Sequence, residues 1–445
     1  MSNDTFAQKL IKVRPHPRQI AWQQKEWIAF FHFSINTFTN NEWGAGNEDI
    51  ALFHPGTVDT DQWCRIARDA GMKGVILTAK HHDGFCLWDT KYTDHNVMRA
   101  PYGRDIVRQL SNSCKQYGLA LGLYLSPWDR HEPSYGSGEA YNDFFCAQLT
   151  ELLTQYGELF EVWFDGACGE GPNGKVQQYD WNRIYALIRA HQPDACIAIC
   201  GPDVRWCGNE AGAWRESEWS VVPASLRDCE KVQEASQQTD DIAFREAGVR
   251  SMDLDLGSRA IMEKTNVWSW YPAEVNTSIR PGWFYHPQED DLVKPVDWLV
   301  DLYEHTVGGN AVLLLNIPPD THGRIHPHDE AALLAVGQIL RERYARDLAT
   351  GAMVLQDDDH TRIRLRFEVP QAVSRVIIEE DIQQSQRIER FKLFASRNGE
   401  EKLIYEGTTV GYRKICAFDA VIADELRLKI EHSRCRPAIK RLSAY

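Results

Sequence analysis

The chain has 445 residues, of which 43% are hydrophobic and 25% charged, and its formal net charge is −14. This length exceeds that of one ordinary domain, so we expect a large domain followed by a smaller one. The acidic balance, with no basic block along the chain, argues against nucleic acid or an anionic membrane as a partner and favours a neutral or cationic ligand.

Apolar runs and helical patterns alternate along the first three quarters of the chain. After a lead-in helix within residues 1–25, strands are predicted at 27–33, 74–79, 119–125, 159–164, 194–200, 267–270 and 311–316, and helices at about 60–71, 104–117, 140–156, 179–191, 296–306 and 328–346. This alternation predicts parallel strands joined by helices, and the number of units favours an α/β fold with a closed (β/α)8-type, TIM-like barrel. A doubly wound open sheet is the alternative, but no glycine-rich phosphate loop follows an early strand.

The pattern changes after residue 347. Short stretches within residues 361–367, 374–378, 390–395 and 426–430 alternate apolar and polar side chains, and turn residues separate them. A period of two is typical of antiparallel strands with one buried face. We therefore expect a catalytic barrel in residues 1–347 and a C-terminal antiparallel β-sandwich in residues 348–445. The sandwich is expected to brace the barrel, with carbohydrate binding as the alternative.

The cysteine pattern and the start of the chain bear on the cellular compartment. Eleven cysteines are scattered without a Cys-x-x-Cys pair, which favours reduced thiols over a disulfide framework or a structural zinc site. The first residues lack the basic-then-apolar pattern of a secretory signal, and no apolar run approaches about 18 residues. A cytoplasmic protein is expected, and a periplasmic or secreted protein whose signal has been removed is the alternative.

Asp165 follows directly on the predicted strand 159–164 and precedes a glycine. In α/β barrels, catalytic groups lie at the carboxyl ends of strands. A strand-end Asp that only caps the following turn is the alternative. Polar and aromatic side chains at other predicted strand ends favour the catalytic interpretation; they include His32, Glu42, Trp43, His81, His82, Trp128, Asp129, Trp163, Trp206 and Glu210.

These residue types together indicate a sugar site. Carboxylates and imidazoles exchange hydrogen bonds with hydroxyl groups, and indole faces cover the C–H faces of sugars. Glycoside hydrolysis requires two carboxyl groups, one that attacks or directs water and one that protonates the leaving oxygen. Asp165 is the candidate for the first role, and Glu210, Glu216 and Glu218 are the candidates for the second. Glu210 is favoured because it lies in a Gly-Asn-Glu turn near Trp206, whereas the other two fit surface pairs with arginine.

A metal ion is the alternative explanation of the adjacent His81 and His82. Neighbouring residues at a strand end point in different directions, so both rarely bind one ion unless other residues supply further ligands. Binding of sugar hydroxyls is therefore favoured, and we expect neither a metal nor a cofactor.

Several longer motifs lie at these same positions: Phe31-His32-Phe33-Ser34, Asn41-Glu42-Trp43, Thr78-Ala79-Lys80-His81-His82-Asp83-Gly84-Phe85, Trp163-Phe164-Asp165-Gly166-Ala167 and Leu314-Leu315-Asn316-Ile317-Pro318-Pro319-Asp320. They resemble the α-L-fucosidases of glycoside hydrolase family 29, over roughly residues 14–345. The segment 201–210, which contains Trp206 and the Gly-Asn-Glu turn, resembles subfamily B, which prefers α-1,3/1,4-linked fucose as found in Lewis-type glycans.

The resemblance implies a retaining exo-α-L-fucosidase that releases terminal fucose from Lewis-type oligosaccharides or glycoconjugates through a covalent fucosyl-enzyme. Asp165 would be the nucleophile and Glu210 the acid/base, with Glu218 as the reserve for the second role. The fucose would be held by His32, Glu42, Trp43, His81, His82 and Trp163, with Trp283 facing its methyl group and Trp206 and Tyr124 completing the site. Tyr124 departs from the family, which usually has two aromatic residues where this chain has Tyr124-Leu125.

The alternatives are a barrel glycosidase of other sugar or linkage specificity, a catalytically silent carbohydrate-binding protein, and a metal-dependent hydrolase.

Overall fold

The computed structural model describes residues 5–229, 233 and 254–445. Eight parallel strands form one sheet: β1 (Trp27–Phe31), β2 (Gly74–Lys80), β3 (Ala120–Leu125), β4 (Glu161–Phe164), β5 (Cys196–Ile199), β6 (Arg205–Trp206), β9 (Ala273–Ser278) and β10 (Val312–Asn316). They lie side by side in chain order, and β10 returns to pair with β1. A parallel bridge between Ala198 and Val204 brings β5 beside β6. The predicted TIM-like barrel, nearly closed, is thus confirmed.

One predicted barrel strand is wrong. Residues Trp268–Trp270 form β8, which pairs antiparallel with β7 (Val221–Pro223) outside the barrel. The barrel strand is β9, which follows it and begins at Ala273. Its side chains at Glu274, Asn276 and Ser278 are polar although the strand is fully buried. A strand that lines the barrel interior with polar groups has no apolar run by which to recognise it.

Helices lie between most of the barrel strands, and their ends follow from local sequence. They are α1 (Thr5–Leu10), α2 (Pro17–Gln23), α3 (Asn36–Thr39), α4 (Thr60–Ala70), α5 (Ile106–Tyr117), α6 (Glu139–Gln155), α7 (Trp181–His191), α8 (Arg259–Met262), α9 (Val296–Thr306) and α10 (Pro327–Arg343). The side chains of Asp59, Asp105 and Asp180 each accept a backbone N–H at the start of α4, α5 and α7. Helices α4 and α5 end at Gly71 and Gly118, which adopt the left-handed conformation that favours glycine.

The barrel has an outer and an inner core. Outward-facing strand residues such as Val75 pack against helix residues such as Trp63 and Leu110. Phe30 and Ile76 face inward and pack with Trp22 from α2. None of the helices in the described ranges is long and apolar enough to span a bilayer. The two cores hold the strands rigidly, so the groups at their carboxyl ends keep fixed positions.

The C-terminal sheet contains β11 (Met353–Gln356), β12 (Arg362–Glu380), β13 (Ile388–Arg397), β14 (Glu400–Gly407), β15 (Lys414–Ser433) and β16 (Ile439–Ala444), all antiparallel to their neighbours. Bulges interrupt the pairing of the long strands β12 and β15, and bulges bend a sheet. Residues from both ends of β12, such as Leu365 and Ile378, share one core with Phe391 of β13. The predicted antiparallel β domain is confirmed. The boundary at 347/348 falls between α10 and β11 and stays a prediction.

Backbone and side-chain hydrogen bonds fasten this sheet to the barrel. The N–H of Ile415 donates to the carbonyl of Gly308 at 2.9 Å. Asn310, which precedes β10, accepts the N–H of Tyr412 at 2.7 Å and donates to the carbonyl of Glu218 at 3.0 Å. A Cβ on Gly308 would lie 2.4 Å from Ile415, so glycine permits this close approach. The two parts therefore share a specific, polar interface.

Candidate active site

One hollow at the carboxyl ends of the barrel strands collects Asp165, Glu210 and all the residues that the resemblance assigns to holding fucose, whereas the candidates Trp128 and Asp129 do not line it. Asp165 lies one residue beyond β4, His32 one residue beyond β1, and the two adjacent histidines follow β2. We call this cavity the central hollow; it is lined by Phe30, His32, Glu42, Trp43, His81, His82, Tyr124, Trp163, Asp165, Gly166, Ala167, Ile199, Trp206, Glu210, Asn276 and Trp283.

Asp165 is held by donors on both oxygens. Its Oδ1 accepts the N–H of Ala167 at 2.8 Å, and its Oδ2 accepts the hydroxyl of Tyr124 at 3.0 Å. Burial, followed by the charge of Asp165, holds the pKa of Tyr124 well above its usual value, so the phenol keeps its proton and donates. The Asp165 side chain is 23% exposed. It is therefore oriented by the protein and still reachable from the hollow.

The hydrogen bonds around His32 fix its tautomer. The amide of Asn316 donates to the carbonyl of Trp283 at 2.7 Å and to Ser278 at 2.9 Å, so its oxygen must face His32. His32 Nδ1, 2.8 Å from that oxygen, therefore carries the proton. Burial lowers the pKa of His32 to about 4. The neutral ring then leaves Nε2 as a hydrogen-bond acceptor.

His82 is fixed in the same way. Ser126 donates its hydroxyl proton to the carbonyl of Trp128 at 2.6 Å, so its oxygen accepts from His82 Nδ1 at 2.7 Å. Burial lowers the pKa of His82 to about 4, against the opposing effect of Asp165. Nε2 of the neutral ring is an acceptor that lies 3.8 Å from Oδ2 of Asp165. A ligand hydroxyl can donate its one proton to this Nε2, while Oδ2 of Asp165 already accepts from Tyr124.

His81 presents a hydrogen-bond donor to the hollow, whereas His32 and His82 present acceptors. The amide nitrogen of Asn36 donates to the carbonyl of Glu42 at 3.3 Å and lies 3.5 Å from Nδ1 of His81, which therefore accepts. Burial lowers the pKa of His81 well below its usual value, so the neutral ring presents an N–H at Nε2. Within the described part of the chain, no three His, Cys, Asp or Glu side chains are grouped as metal ligands would be. One donor and two acceptors match a set of sugar hydroxyls.

Three tryptophans have their indole N–H groups occupied by the protein. Trp163 donates to Glu274 at 2.9 Å, Trp206 to Asn276 at 3.2 Å and Trp283 to Glu210 at 3.2 Å. These three bonds fix the ring planes and leave ring faces and edges to a ligand. Apolar faces of this kind pack against the C–H groups of a sugar. Trp43 also lines the hollow and meets His82 edge-on, with ring centroids 5.6 Å apart.

Glu210 lies in a turn that its neighbours organise. Asn209 accepts the N–H groups of Ala211 and Ala213 and donates back to the carbonyl of Ala213 at 3.0 Å. Gly208 has φ of 93°, a conformation that favours glycine. The turn is therefore built from the Gly-Asn pair that precedes the acid, and it points Glu210 into the hollow.

Glu218, the reserve acid, lies behind this turn and not in the hollow. Its carboxylate forms ion pairs with Arg205 and Arg215, and only 2% of the residue is exposed. Arg215 also donates to the carbonyl of Cys207 at 2.9 Å. Glu216, the third candidate, lines a separate groove beside the C-terminal sheet. Of the three candidates, Glu210 lines the hollow.

Glu42 lines the hollow and also ties two loops together. Its Oε2 accepts the N–H of Trp283 at 2.9 Å, and its Oε1 accepts the N–H of Phe284 at 3.2 Å. His286 Nε2 lies 2.6 Å from the same Oε1 and is oriented by Asn40, 2.8 Å from its Nδ1. Glu42 therefore holds the segment that carries the Trp283 wall.

Sequence reasoning missed several residues that support the hollow: Ser126, Glu274, Asn276, His286 and Asn316. The alternate polar residues of β9 were the available signal for Glu274 and Asn276. Asn316 ends a predicted strand, which marked its position but not its contact with His32. His286 has no local pattern, because its partner Glu42 is far away in the chain.

A TIM-like barrel whose strand ends surround two carboxyl groups, neutral imidazoles and indole faces defines a glycoside hydrolase. The family model described as Alpha-L-fucosidase matches residues 14–344. The chain therefore belongs to the α-L-fucosidases of glycoside hydrolase family 29, as its motifs predicted.

Relatives match along nearly the whole chain. Alpha-L-fucosidase 1 of Arabidopsis thaliana is 35% identical, with 97% of this chain and 89% of that protein covered. The structure of a proposed alpha-L-fucosidase from Bacteroides ovatus ATCC 8483 is 44% identical with a TM-score of 0.90, and it covers 100% of this chain and 76% of that one. A Ruminococcus gnavus GH29 fucosidase in complex with fucose is 28% identical with a TM-score of 0.81, covering 97% and 95%.

Proposed function

We propose that this protein is a retaining exo-α-L-fucosidase that releases terminal α-1,3/1,4-linked fucose from Lewis-type oligosaccharides or glycoconjugates. The observation that carries the proposal is that Asp165 and Glu210, 45 positions apart in sequence, line one sugar-sized hollow. The solved complex of the R. gnavus relative with fucose supports a fucosylated substrate.

The arrangement of donors supports Asp165 as the nucleophile. In the first step, its carboxylate oxygen forms a bond to the anomeric carbon as the bond to the leaving oxygen breaks. Tyr124 and the N–H of Ala167 hold the carboxylate in one orientation before attack. Fixing the attacking atom in this way removes orientational freedom that would otherwise slow the reaction.

Glu210 supplies the proton. It gives its proton to the leaving oxygen in the first step and takes one from water in the second, when that water attacks the fucosyl-enzyme and Asp165 is released. The bond from Trp283 to its Oε2 fixes the carboxyl group relative to the wall of the hollow. His32 and His82 accept hydrogen bonds from hydroxyl groups of the sugar, and His81 donates a hydrogen bond to another hydroxyl group.

Substitution of the two acids tests these roles on an aryl α-L-fucoside. Asp165→Asn should lose nearly all activity, because an amide cannot form the ester intermediate. Asp165→Gly with azide should release the fucosyl azide of inverted configuration, and Glu210→Ala with azide should release the retained one. Glu216→Gln is the matched control and should stay close to wild type. Activity of Asp165→Asn near that of wild type would end the proposal.

The linkage preference rests on the segment 201–210, from which Trp206 and Glu210 reach the hollow. Digestion of a Lewis a or Lewis x trisaccharide beside 2′-fucosyllactose tests it directly. We expect cleavage of the branched Lewis sugars and little cleavage of the α-1,2 linkage. Preferential cleavage of 2′-fucosyllactose would contradict the linkage and leave the retaining mechanism untouched.

A further inference from the structure

Two glutamates meet inside the barrel, beneath the central hollow. Glu161 begins β4 and Glu274 belongs to β9, two strands that β5 and β6 separate around the barrel, so their side chains meet across its interior. Both residues are completely buried, and Glu274 is, after burial itself, the main cause of the raised pKa of Glu161, so the two carboxyl groups lie near each other. Two buried carboxyl groups this close need a physical explanation, because like charges in a buried site repel strongly.

One oxygen of each carboxyl group accepts a hydrogen bond from an indole N–H, a group that can only donate. Trp22 donates its indole N–H to Oε2 of Glu161 at 2.9 Å, and Trp163 donates to Oε1 of Glu274 at 2.9 Å. Oε1 of Glu161 and Oε2 of Glu274 remain, buried and without a hydrogen bond from any other described residue. One proton between these two inner oxygens satisfies all four oxygen atoms, whereas no proton leaves two bare acceptors facing each other.

We propose that Glu161 and Glu274 share one proton at working pH and together act as positioning residues that hold Trp163 in the wall of the central hollow. The hydrogen bonds then form one chain from Trp22 at the amino end of the strands, through the two carboxyl groups, to Trp163. The kinetic part of this inference rests on the proposed fucosidase function, and the spectroscopic part does not.

The surroundings favour a retained proton. Burial raises the pKa of both carboxyl groups, that of Glu274 to about 7, and the second carboxyl raises that of Glu161 further. Another charged group that acts on Glu161 is Asp203, whose carboxylate forms ion pairs with Arg18 and Arg189. Both arginines pair with Asp203, and neither forms an ion pair with Glu161 or Glu274, so among the described residues these two cations do not stabilise two ionised glutamates.

The chain of bonds ends at a ring that matters for the chemistry. Trp163 stacks on Tyr124, with ring centroids 5.2 Å apart and planes inclined by 25°. Tyr124 in turn donates to Asp165. A shift of Trp163 would therefore change both the wall of the hollow and the donor to the proposed nucleophile.

Infrared difference spectroscopy tests the shared proton without any substrate. The C=O stretch of a protonated carboxylic acid is resolved from those of carboxylates, so wild type minus Glu161→Gln at pH 7 should show one acid band. Glu274→Gln should remove the same band, because in each variant the new amide donates to the remaining carboxylate. Glu151→Gln is the matched control: Glu151 is also buried and accepts an indole N–H, from Trp88, but its other oxygen accepts a backbone N–H. Its spectrum should retain the acid band.

If the acid band persisted in both Glu161→Gln and Glu274→Gln, the shared proton would be overturned. The positioning role is tested separately by the contrast between Glu274→Gln and Glu274→Leu. The amide still accepts from Trp163, so Glu274→Gln should keep the KM of an aryl α-L-fucoside within about twofold of wild type. Leucine cannot accept, and we expect KM and the inhibition constant of fucose to rise about tenfold while kcat changes less.

Equal KM values in these two variants, whether both normal or both raised, would overturn the positioning role. A wild-type protein with no activity on the fucoside would refute the proposed function instead, and the infrared bands would still report on the proton.

Discussion

Replacement of Glu42 by Gln separates two roles that this residue combines. Glu42 was predicted as a sugar ligand, and its side chain is 16% exposed in the hollow. The same carboxylate also accepts the backbone N–H groups of Trp283 and Phe284 and hydrogen-bonds His286. An amide has one oxygen and one NH2 group, so at least one of these three donors must face another donor.

The size of the effect follows from that mismatch. A buried N–H left without an acceptor costs about 1–3 kcal/mol, and the remaining bonds lose their charge assistance. If displacement of Trp283 raises the free energy of the transition state by this amount, kcat/KM on an aryl α-L-fucoside should fall about 5- to 150-fold. The ligand-free protein should also melt a few degrees lower, because the bonds join two loops in the absence of sugar.

The melting temperature distinguishes the two roles. A glutamate that only binds sugar would lose affinity in Glu42→Gln without any change in the melting temperature of the ligand-free protein. Glu48→Gln is the matched control, since Glu48 accepts the N–H groups of Ala45 and Gly46 in the same loop but does not line the hollow. Glu42→Gln with an unchanged melting temperature and kcat/KM within twofold of wild type would refute the reasoning.

Three further outcomes are expected. Because burial lowers the pKa of His32 and His82 to about 4, KM for the fucoside should be flat above about pH 5.5 and rise as the pH falls through 4, where the protonated rings no longer accept hydrogen bonds. The same lowered pKa values mean that the folded state loses stability as the pH falls from about 6.5 to 4. Denaturant titration at each pH measures this loss. In Asp329→Asn the fully buried Arg280, whose Nε–H donates to both carboxylate oxygens of Asp329, loses its buried counter-charge. Thermal unfolding should show a loss of about 3–5 kcal/mol, whereas an unchanged melting temperature would contradict the ion pair's importance. Ser126→Ala removes the acceptor that fixes the His82 tautomer, so kcat/KM should fall about 2- to 10-fold with circular dichroism unchanged; a full rate would show that the tautomer needs no such partner.

Much of the barrel could be predicted because most of its strands have apolar side chains on both faces. Residues 27–31 and 312–315, for example, are continuous apolar runs, and they lie in the observed strands β1 and β10. The predicted helix at 296–306 matches α9 residue for residue. Strand β6 has two residues and β9 has alternate polar ones, so neither carries the pattern that marks a buried parallel strand.

The residues that line the hollow were predictable for a different reason. Parallel strands place their carboxyl ends together, so an unusual side chain at one strand end is a neighbour of those at the others. Residues that act through such neighbours do not share this advantage. His286 reaches Glu42 and Glu274 reaches Trp163 only because the chain has folded, and neither pairing has a sequence spacing that announces it.

Glu218 connects the C-terminal domain to the turn that carries the proposed acid/base Glu210. Gln386 and Thr409, from the loops before β13 and after β14, donate to the backbone carbonyl of Glu218, while its carboxylate holds Arg215 against the turn that contains Glu210. Chimeras that graft this sheet from another member of the family should therefore inherit altered catalytic rates along with any change in solubility.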